Sequence, residues 1–414
     1  MTALGVGVLG CGNVSAQYLP NGPRLDALRF VACADLDAAA ADRVAREHGL
    51  EACAPEALMA RPDVDVVLCL TPPDTHADVA LQAIAAGKHV YTEKPLATSV
   101  EHARRVLEAA AAAGVLVGCA PDTFLGAGIQ TLKAAIDAGA IGTPALAQVR
   151  MLAPPPETWH PSPAFLYAEL AGPLLDIGPY GVTTAVELVG PVRRVTALAT
   201  RPRATGRIAG GPRAGTDFPI VEPTRVGAVL EHDGGVLTTL AASFDVEGAA
   251  RHGIEVSGSD GTLAGGDPNT FDGPVVLRHA RADDEPLELV SDWRHNARGL
   301  GLNDLCRDGS HCQTLTSTAT ASSFSSQSPA WMAASRTGVF SWISAPAHST
   351  SGNASQSARP SSSPPVHSSM SPRTARPATT AASTRLRASS TPIFHGGICA
   401  SVALTRASWS PSTA

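Results

Sequence analysis

Short apolar runs alternate with alanine-rich stretches over the first 120 residues. The apolar runs, which we predict to be strands, are residues 6–9, 30–34, 64–70, 89–92 and 115–119. The stretches between them have helical spacing and are residues 38–48, 76–86 and 100–113. Strands and helices that alternate in this way form right-handed βαβ units, with strands buried on both faces. The pattern predicts a doubly wound parallel sheet over residues 1–122.

The pattern changes after a predicted helix over residues 129–138. Runs that we predict to be strands, joined by turns rich in Gly, Pro and Asp, are residues 145–152, 192–200, 225–230, 236–244, 254–257 and 275–279. One long helical stretch, about residues 174–189, interrupts them. Such a succession favours a largely antiparallel sheet. We therefore expect a second domain, residues 123–305, of α+β class, with an open, mostly antiparallel sheet and a helix or two against one face.

Apolar periodicity fails from Cys306 to the C-terminus. Of these residues, 40 are Ser or Thr, and much of the remainder is Ala, Pro and Arg. The composition is typical of a disordered, weakly basic, low-complexity tail over residues 306–414. It is also what a GC-rich gene encodes when read out of frame. We favour a frameshift near residue 305 over a natural disordered tail or a folded domain, and the nucleotide sequence distinguishes them.

The composition of the whole chain indicates a soluble globular protein. Hydrophobic residues make up 44% of it. No apolar run approaches the ~18 residues that a membrane helix needs. The N-terminus lacks the basic segment and cleavage site of a signal peptide and runs directly into the first predicted strand. We therefore expect a cytoplasmic protein with no membrane association.

Charge and cysteine spacing argue against two further classes of protein, those that bind nucleic acid and those that bind a metal. The net charge of −6 combines +7 from residue 306 onwards with −13 before it. An acidic body argues against nucleic acid as a partner. The eight cysteines form no Cys-x-x-Cys pair, so we expect buried, reduced thiols. No His/Cys spacing suggests a metal site.

A glycine-rich turn, GCGNVS, follows the first predicted strand and precedes a helical stretch. In a dinucleotide-binding motif the first glycine, here Gly10, permits a tight turn, and the second, Gly12, lets the backbone approach the pyrophosphate. Ser15 and Ala16 replace the third glycine with small residues. The N-terminus of the helix offers N–H groups to the phosphates. This context favours a Rossmann domain over a plain strand–turn–helix, with a loop that binds the cofactor through Gly10, Gly12, Asn13 and Val14.

Asp35 ends the second predicted strand, 25 residues after Gly10. A carboxylate there accepts hydrogen bonds from the adenosine ribose and repels the extra phosphate of NADP, so we expect NAD. Asp37 either strengthens this repulsion or caps the next helix. After the third predicted strand we expect Thr71 and Pro72 at the cofactor, with His76 either at the ligand or at the start of a helix.

A specific string, GKHVYTEKPL, runs from Gly87 to Leu96 and contains Glu93 and Lys94. Together with the glycine-rich turn it resembles the glucose–fructose oxidoreductase / inositol dehydrogenase / MocA (Gfo/Idh/MocA) family. Further matching stretches are GPLLDIGPY at 172–180, IEVSGSDGTL at 254–263 and ARGLGL at 297–302. The resemblance covers about residues 4–305. It implies a Rossmann domain followed by an α/β domain whose open sheet carries the substrate pocket and usually mediates oligomers.

The resemblance also implies a catalytic lysine. In the family the lysine of the Glu-Lys-Pro motif lies beside the nicotinamide and the substrate; here it is Lys94. Such a lysine can hydrogen-bond the reacting oxygen and pass on its proton, if burial or the cationic nicotinamide lowers its pKa. We expect Glu93 to orient or tune it. The chain has three lysines, which argues against an ordinary surface charge.

A second family signature places an Asp and, four residues later, a His on one helical face. Asp176 matches it, and Tyr180 stands where the His is expected; the i,i+4 spacing brings the two together. Tyrosine, with a reference pKa near 10, is a poorer base than His at neutral pH. We expect a catalytic site of Lys94, Asp176 and Tyr180, with Asp122 and His160 as candidate substrate residues. The alternatives are helix capping or a structural hydrogen bond for Asp176 and a turn for Asp122.

These observations favour an NAD(P)-dependent oxidoreductase that moves hydride between nicotinamide and a carbinol or carbonyl carbon of a sugar, cyclitol or related polyol. The alternative is a nucleotide-binding or inactive family member, supported by Tyr180 and by the C-terminus. Members of the family end in a helix near the domain junction, and none is predicted here after about residue 305. A third hypothesis is an NAD-dependent glycosidase. We expect a homo-oligomer formed through the C-terminal sheet if that domain is intact.

Overall fold

The computed structural model describes residues 3–247, 252–279, 287–289 and 298–307, together with the backbone of Val339–Phe340. The first sheet has six parallel strands in the order β3-β2-β1-β4-β5-β6. These are β1 (Leu4–Leu9), β2 (Leu28–Ala34), β3 (Glu51–Cys53), β4 (Val66–Cys69), β5 (His89–Thr92) and β6 (Val117–Cys119). The strand order, which runs outward from β1 in both directions, is that of a doubly wound dinucleotide-binding sheet. The predicted parallel sheet is confirmed.

Helices connect these strands and begin and end at residues that the local sequence explains. They are α1 (Ser15–Tyr18), α2 (Ala38–His48), α3 (Pro55–Ala60), α4 (His76–Ala85) and α5 (Val100–Ala113). Ser99 caps α5 by accepting a hydrogen bond from the His102 N–H, and Gly114, at φ 68°, ends it. The sequence predicts α2, α4 and α5, whereas α3 and β3 are too short to show a periodicity.

The helix after the glycine-rich turn is short. Helix α1 has four residues and continues as a 3-10 helix over Leu19–Arg24. Pro20 and Pro23 lie in that segment and supply no backbone N–H, so an α-helix does not propagate through it. The helix dipole at the phosphate loop is therefore weaker than the motif implies, because it extends over a single turn.

Among the described residues, the second sheet has nine strands in the order β16-β15-β14-β13-β7-β12-β11-β8-β17. Pairing is antiparallel except between β7 and β12, so the expected open, mostly antiparallel sheet is confirmed. The strands are β7 (Pro144–Leu152), β8 (Val192–Thr200), β11 (Arg225–His232), β12 (Leu237–Ser243), β13 (Gly253–Gly258), β14 (Gly261–Gly265), β15 (Val275–His279), β16 (Leu287–Leu289) and β17 (Val339–Phe340). A separate two-stranded ribbon pairs β9 (Thr205–Arg207) with β10 (Asp217–Pro219).

Helices α6 (Ala127–Asp137), α7 (Gly172–Asp176) and α8 (Gly178–Val189) complete this part. Their buried side chains share a hydrophobic core with the inner face of the second sheet. The single helix predicted over residues 174–189 is two helices, α7 and α8. The break falls at Ile177, two residues before Pro179, because proline supplies no N–H for the carbonyl four residues earlier and its ring clashes with that carbonyl. It lies between Asp176 and Tyr180, two of the predicted catalytic residues.

A last helix, α9 (Leu300–Arg307), packs on the first sheet. Leu302, Leu305 and Cys306 join the buried cluster that contains Tyr18 and Tyr91. The boundary predicted between a folded body and a tail, at residue 306, therefore falls inside a helix. The remainder of the predicted tail, apart from the backbone of β17, lies outside the described residues, and with it the frameshift hypothesis.

None of the helices in the described part of the chain has both the length and the apolar character to span a bilayer. The cytoplasmic location stays a prediction. The six described cysteines are free thiols. Cys53 is half-buried, and the other five are buried as expected, namely Cys11, Cys33, Cys69, Cys119 and Cys306.

Candidate active site

The glycine-rich turn has the backbone geometry that its sequence predicts. Gly10 has φ 106°, and a Cβ there would lie 2.7 Å from the carbonyl carbon of Leu70. Only glycine fits such a conformation and such an approach. At Gly12 a Cβ would meet no atom within 4 Å, so the backbone there faces open space. Ser15 fixes the turn by donating its hydroxyl to the Gly12 carbonyl at 2.7 Å.

Asp35 joins the turn to the end of β2. Its Oδ2 accepts a hydrogen bond from the Cys11 N–H at 2.7 Å, and its Oδ1 accepts one from the Asp37 N–H at 2.9 Å. Each carboxylate oxygen keeps a lone pair that a ribose hydroxyl could use. Asp37 accepts a hydrogen bond from the Ala39 N–H and so caps α2, which is one of the two roles expected for it.

The remaining predicted cofactor residues lie around this turn and after β4. Asn13 is exposed and Val14 half-buried beside Gly12; Thr71 is half-buried and Pro72 exposed. His76 opens α4 and is buried, with its Nε2 2.8 Å from the Thr71 carbonyl oxygen and its Nδ1 2.6 Å from that of Pro95. His76 thus connects the loop after β4 to the Glu-Lys-Pro loop through backbone oxygens.

Lys94 and Asp176 meet, although 82 residues separate them along the chain. The Lys94 ammonium donates to Asp176 Oδ1 at 2.9 Å and to the Asp176 carbonyl oxygen at 2.7 Å. The side chains of Lys94 and Asp176 are 15% and 32% exposed, so the pair is half-buried and still reachable from solvent. Because Lys94 follows β5, the pair lies at the carboxyl edge of the parallel sheet, where doubly wound sheets bind their ligands.

The electrostatics keep Lys94 charged. Burial by itself lowers the pKa of this amine, but the Asp176 carboxylate, with Tyr180 and Glu93, more than offsets it, and the pKa ends above the usual value. These side chains alone therefore do not give Lys94 the lowered pKa that proton transfer requires. Glu93 is fixed from two sides: its Oε1 accepts from the Tyr18 hydroxyl at 2.9 Å, and its Oε2 from the Lys94 N–H at 3.0 Å.

Tyr180 lies close to two cations. Lys94 Nζ is 5.6 Å from the centroid of its ring, and the guanidinium carbon of Arg298 is 6.0 Å from the same centroid. Burial raises the pKa of the Tyr180 phenol, and the charges of Lys94 and Arg298 lower it by a smaller amount. The phenol is therefore protonated at neutral pH and can donate a hydrogen bond.

Asp122 is fully buried and holds the segment before α9. Its Oδ2 accepts the Gly299 N–H at 2.7 Å, and its Oδ1 lies 3.4 Å from an Arg298 guanidinium nitrogen. These contacts favour a structural role over contact with substrate. Sequence reasoning missed Arg298, because its stretch, ARGLGL, matched the family without indicating a role for the arginine.

His160 lies in a loop of aromatic side chains. Its Nδ1 accepts the Ser162 N–H at 2.9 Å, and its ring contacts Trp159 and Phe165 edge-on. Trp159 and Phe165 are 61% and 60% exposed. The contacts described for His160 are with its own loop, whereas Lys94 contacts both Asp176 and Tyr180.

Comparisons with known proteins agree with this geometry. Residues 4–120 match the model of an oxidoreductase family with an NAD-binding Rossmann fold, GFO_IDH_MocA. Residues 129–264 match the GFO/IDH/MocA C-terminal domain. The chain belongs to the Gfo/Idh/MocA family. The first matched segment contains the whole of the first sheet and the second most of the second sheet, and the family resemblance seen in the sequence is confirmed.

Individual members of the family are similar over different lengths. An inositol 2-dehydrogenase of Gluconacetobacter diazotrophicus is 40% identical over 144 residues, 34% of this chain and 43% of that protein. The chain thus spans less than half the length of the first curated relatives it matches. The 1,5-anhydro-D-fructose reductase of Ensifer adhaerens is 29% identical over 287 residues, 68% of this chain and 82% of that enzyme.

Among solved structures, an NAD-binding oxidoreductase from Klebsiella pneumoniae is similar at a TM-score of 0.62, with 26% identity, over 74% of this chain and 87% of that one. The match extends over the greater part of both chains, so the two share a fold beyond the Rossmann domain alone.

Proposed function

We propose that this Gfo/Idh/MocA member is an NAD-dependent oxidoreductase that transfers hydride between nicotinamide and a carbinol or carbonyl carbon of a sugar, cyclitol or related polyol. The observation that carries the proposal is the contact of Lys94 with Asp176 at the carboxyl edge of the parallel sheet. Relatives named as inositol 2-dehydrogenase and 1,5-anhydro-D-fructose reductase support the substrate class.

The residues of the glycine-rich turn fit NAD. Gly12 leaves the space that a pyrophosphate needs, and Asp35 presents carboxylate oxygens at the end of β2. A negative charge there disfavours the 2′-phosphate of NADP. The charge of Arg43 works the other way, since its guanidinium lies 3.4 Å from the Cys11 carbonyl oxygen. When bound, the nicotinamide supplies the hydride acceptor or donor.

The protein side chains orient the substrate and handle the proton. Lys94, held by Asp176, donates a hydrogen bond from Nζ to the reacting oxygen, which stabilises the negative charge that develops on it. Tyr180, protonated at neutral pH, donates from its hydroxyl or passes a proton to the same oxygen. Glu93 keeps the Lys94 backbone in place, and Asp122 keeps Arg298 near Tyr180.

The first test is turnover with a panel of sugars, inositols and sugar acids, each with NAD and with NADP. Lys94→Ala should reduce kcat/KM about 10²- to 10⁴-fold, the usual contribution of a positioned acid–base group. Lys133→Ala is the matched control, because Lys133 makes an ion pair with Asp137 within α6. Turnover that Lys94→Ala leaves unchanged contradicts the proposal. Thermal stabilisation by NAD without turnover of any substrate favours the non-catalytic alternative.

We further propose that a second copy of the chain covers the outer face of the second sheet. Four hydrophobic side chains on that face are at least 40% exposed, namely Leu146, Leu198, Val229 and Leu237. They lie on neighbouring strands, and Leu146 stands opposite Leu237 in the register of β7 and β12. Sedimentation of the wild type should show an oligomer. The double variant Leu146→Glu/Leu237→Glu should dissociate it, and the control variant Leu36→Glu should leave it intact. A monomeric wild type contradicts this.

A further inference from the structure

Arg298 is a half-buried cation that the segment before α9 brings next to Tyr180. Its side chain is 13% exposed, and its guanidinium carbon lies 6.0 Å from the centroid of the Tyr180 ring and 5.7 Å from that of Phe271. A cation within about 6 Å of an aromatic centroid is attracted by the ring, more strongly when water is excluded. From this position its charge also lowers the pKa of the Tyr180 phenol.

The surroundings of Arg298 hold it in this place. Asp122 contacts its guanidinium on one side and binds the following N–H, of Gly299, on the other. The Arg298 carbonyl oxygen accepts a hydrogen bond from the Asn21 side chain at 3.2 Å. Further along, Asn303 accepts the Ala27 N–H at 3.0 Å and so binds α9 to the beginning of β2. Arg298 is thus fixed by contacts with both ends of the first domain.

We propose that Arg298 is a positioning residue for proton transfer, which stabilises the ionised form of Tyr180 while this phenol exchanges its proton with the substrate oxygen. The inference rests on the proposed oxidoreductase function and deepens it. It assigns to this chain a way of using a tyrosine where the family pattern has a histidine.

The chemical step balances as follows. In alcohol oxidation the substrate O–H bond breaks, and its proton goes to the Tyr180 phenolate, which becomes a phenol. The carbinol C–H bond would break with its electron pair, the oxidised nicotinamide of a cofactor held at Gly12 and Asp35 would accept that pair as hydride, and a carbonyl would form. Carbonyl reduction is the reverse, with Tyr180 as the proton donor. A cation beside Tyr180 lowers the cost of the phenolate in either direction.

Tyr180 faces charged groups from three parts of the chain. Glu93 and Lys94 follow β5, Asp176 ends α7, and Arg298 precedes α9. Lys94 is compensated by Asp176, and Arg298 by Asp122, so the two cations contribute less than isolated charges would. Burial still raises the pKa of the phenol, and without Arg298 it would rise further.

The test is the ionisation of Tyr180 in the full-length chain, measured without substrate. The chain has four tyrosines, and the near-ultraviolet absorbance of wild type minus that of Tyr180→Phe isolates this phenolate. Rapid pH jumps read the absorbance before alkaline unfolding. Arg298→Gln should raise the ionisation midpoint by about 1 pH unit, the lower end of the effect of a neighbouring charge, and Arg298→Lys should largely restore it.

Asp122→Asn provides a shift of the opposite sign. This substitution removes the charge that compensates Arg298, so the midpoint of Tyr180 ionisation should fall. If Arg298 had a purely structural role, Arg298→Gln and Asp122→Asn would shift the midpoint in the same direction. An unchanged midpoint in a folded Arg298→Gln, or a midpoint that does not fall in Asp122→Asn, overturns the proposal. If Arg298→Gln does not fold, Arg298→Lys and Asp122→Asn decide it.

The rate of substrate oxidation should depend on the ionisation of Tyr180. In the oxidation direction Arg298→Gln should lower kcat about tenfold at neutral pH and recover as the pH rises, with KM little changed. The absorbance titration needs no turnover. It can therefore contradict the role of Arg298 even if the protein has dehydrogenase activity. Conversely, a wild type without turnover on any polyol contradicts the proposed function and leaves the titration readable.

Discussion

The Lys94 ammonium group binds two oxygens of a single residue, the Oδ1 of Asp176 at 2.9 Å and its carbonyl oxygen at 2.7 Å. The carbonyl fixes the amine whatever the protonation of the carboxyl group, and the carboxylate sets its pKa. Position and charge are therefore controlled by separate atoms, which a substitution can tell apart.

Asp176→Asn should separate these two effects. The carbonyl contact stays, and the loss of the carboxylate lets burial lower the pKa of Lys94 by about 1–3 units. In alcohol oxidation the pH at which the rate reaches its plateau should fall, because the Asp176 charge also raises the pKa of Tyr180, the proposed proton acceptor. Asp137→Asn, which removes the partner of Lys133 in α6, is the control and should leave the pH–rate profile unchanged. A profile that moves to higher pH in Asp176→Asn would contradict this account.

Asp35 should determine the choice of cofactor. Asp35→Ser removes the charge at the end of β2, so the ratio of kcat/KM with NAD to that with NADP should fall at least about tenfold, which corresponds to about 1.4 kcal/mol. Asp37→Ser is the matched control, because serine also caps a helix and leaves Asp35 in place. The expectation fails if the control lowers this ratio as much as Asp35→Ser does.

His89 should make the first domain less stable in mild acid. Burial lowers its pKa, and its Nδ1 accepts the Leu116 N–H at 2.9 Å, a bond that protonation breaks. The unfolded chain binds this proton more readily than the folded one. The stability that neutral His89 contributes to the fold is therefore fully present above the pKa of histidine in the unfolded chain, about 6.5. It is lost as the pH falls below that value.

Urea unfolding at about pH 7 and about pH 5 measures this loss, at most about 1.4 kcal/mol per pH unit for one group. His89→Gln should flatten the dependence, whereas His102→Gln, an exposed position in α5, should not. An equal dependence in wild type and His89→Gln would exclude His89 as the cause.

Helix α9 should contribute to the stability of the first domain. Leu305 is 2% exposed and packs in the cluster with Tyr18 and Tyr91, so Leu305→Ala should cost about 2–5 kcal/mol of unfolding free energy. Leu36→Ala, at a position 95% exposed, is the control and should cost little. Chemical denaturation of both variants checks the difference, and equal costs would mean that α9 does not stabilise the domain.

Much of the fold could be predicted because local signals mark its elements. Helix α5 begins and ends where its sequence pattern does, with a serine cap and a terminal glycine. Strands of three residues, such as β3 and β9, carry no periodicity and depend on their neighbours for pairing. The break between α7 and α8 was missed, although Pro179 was visible, because apolar periodicity continues across it.

The candidate site could be predicted in part. Motifs indicate Lys94, Asp176 and Tyr180, and the structure brings these three together. The contact of Asp122 with Arg298 joins residues 176 positions apart, and no spacing rule links them. The same limit applies to Tyr18 and Glu93, whose hydrogen bond joins the end of α1 to the loop after β5.

The central claim is hydride transfer from a polyol carbon to NAD. The most direct measurement incubates the wild-type protein and NAD with a carbon-deuterated polyol from the substrate panel and determines the mass of the reduced cofactor. The account predicts that one deuterium appears on the nicotinamide ring with wild type and with Lys133→Ala, and far more slowly with Lys94→Ala. Reduced cofactor without deuterium, or equal rates with Lys94→Ala and wild type, would contradict it.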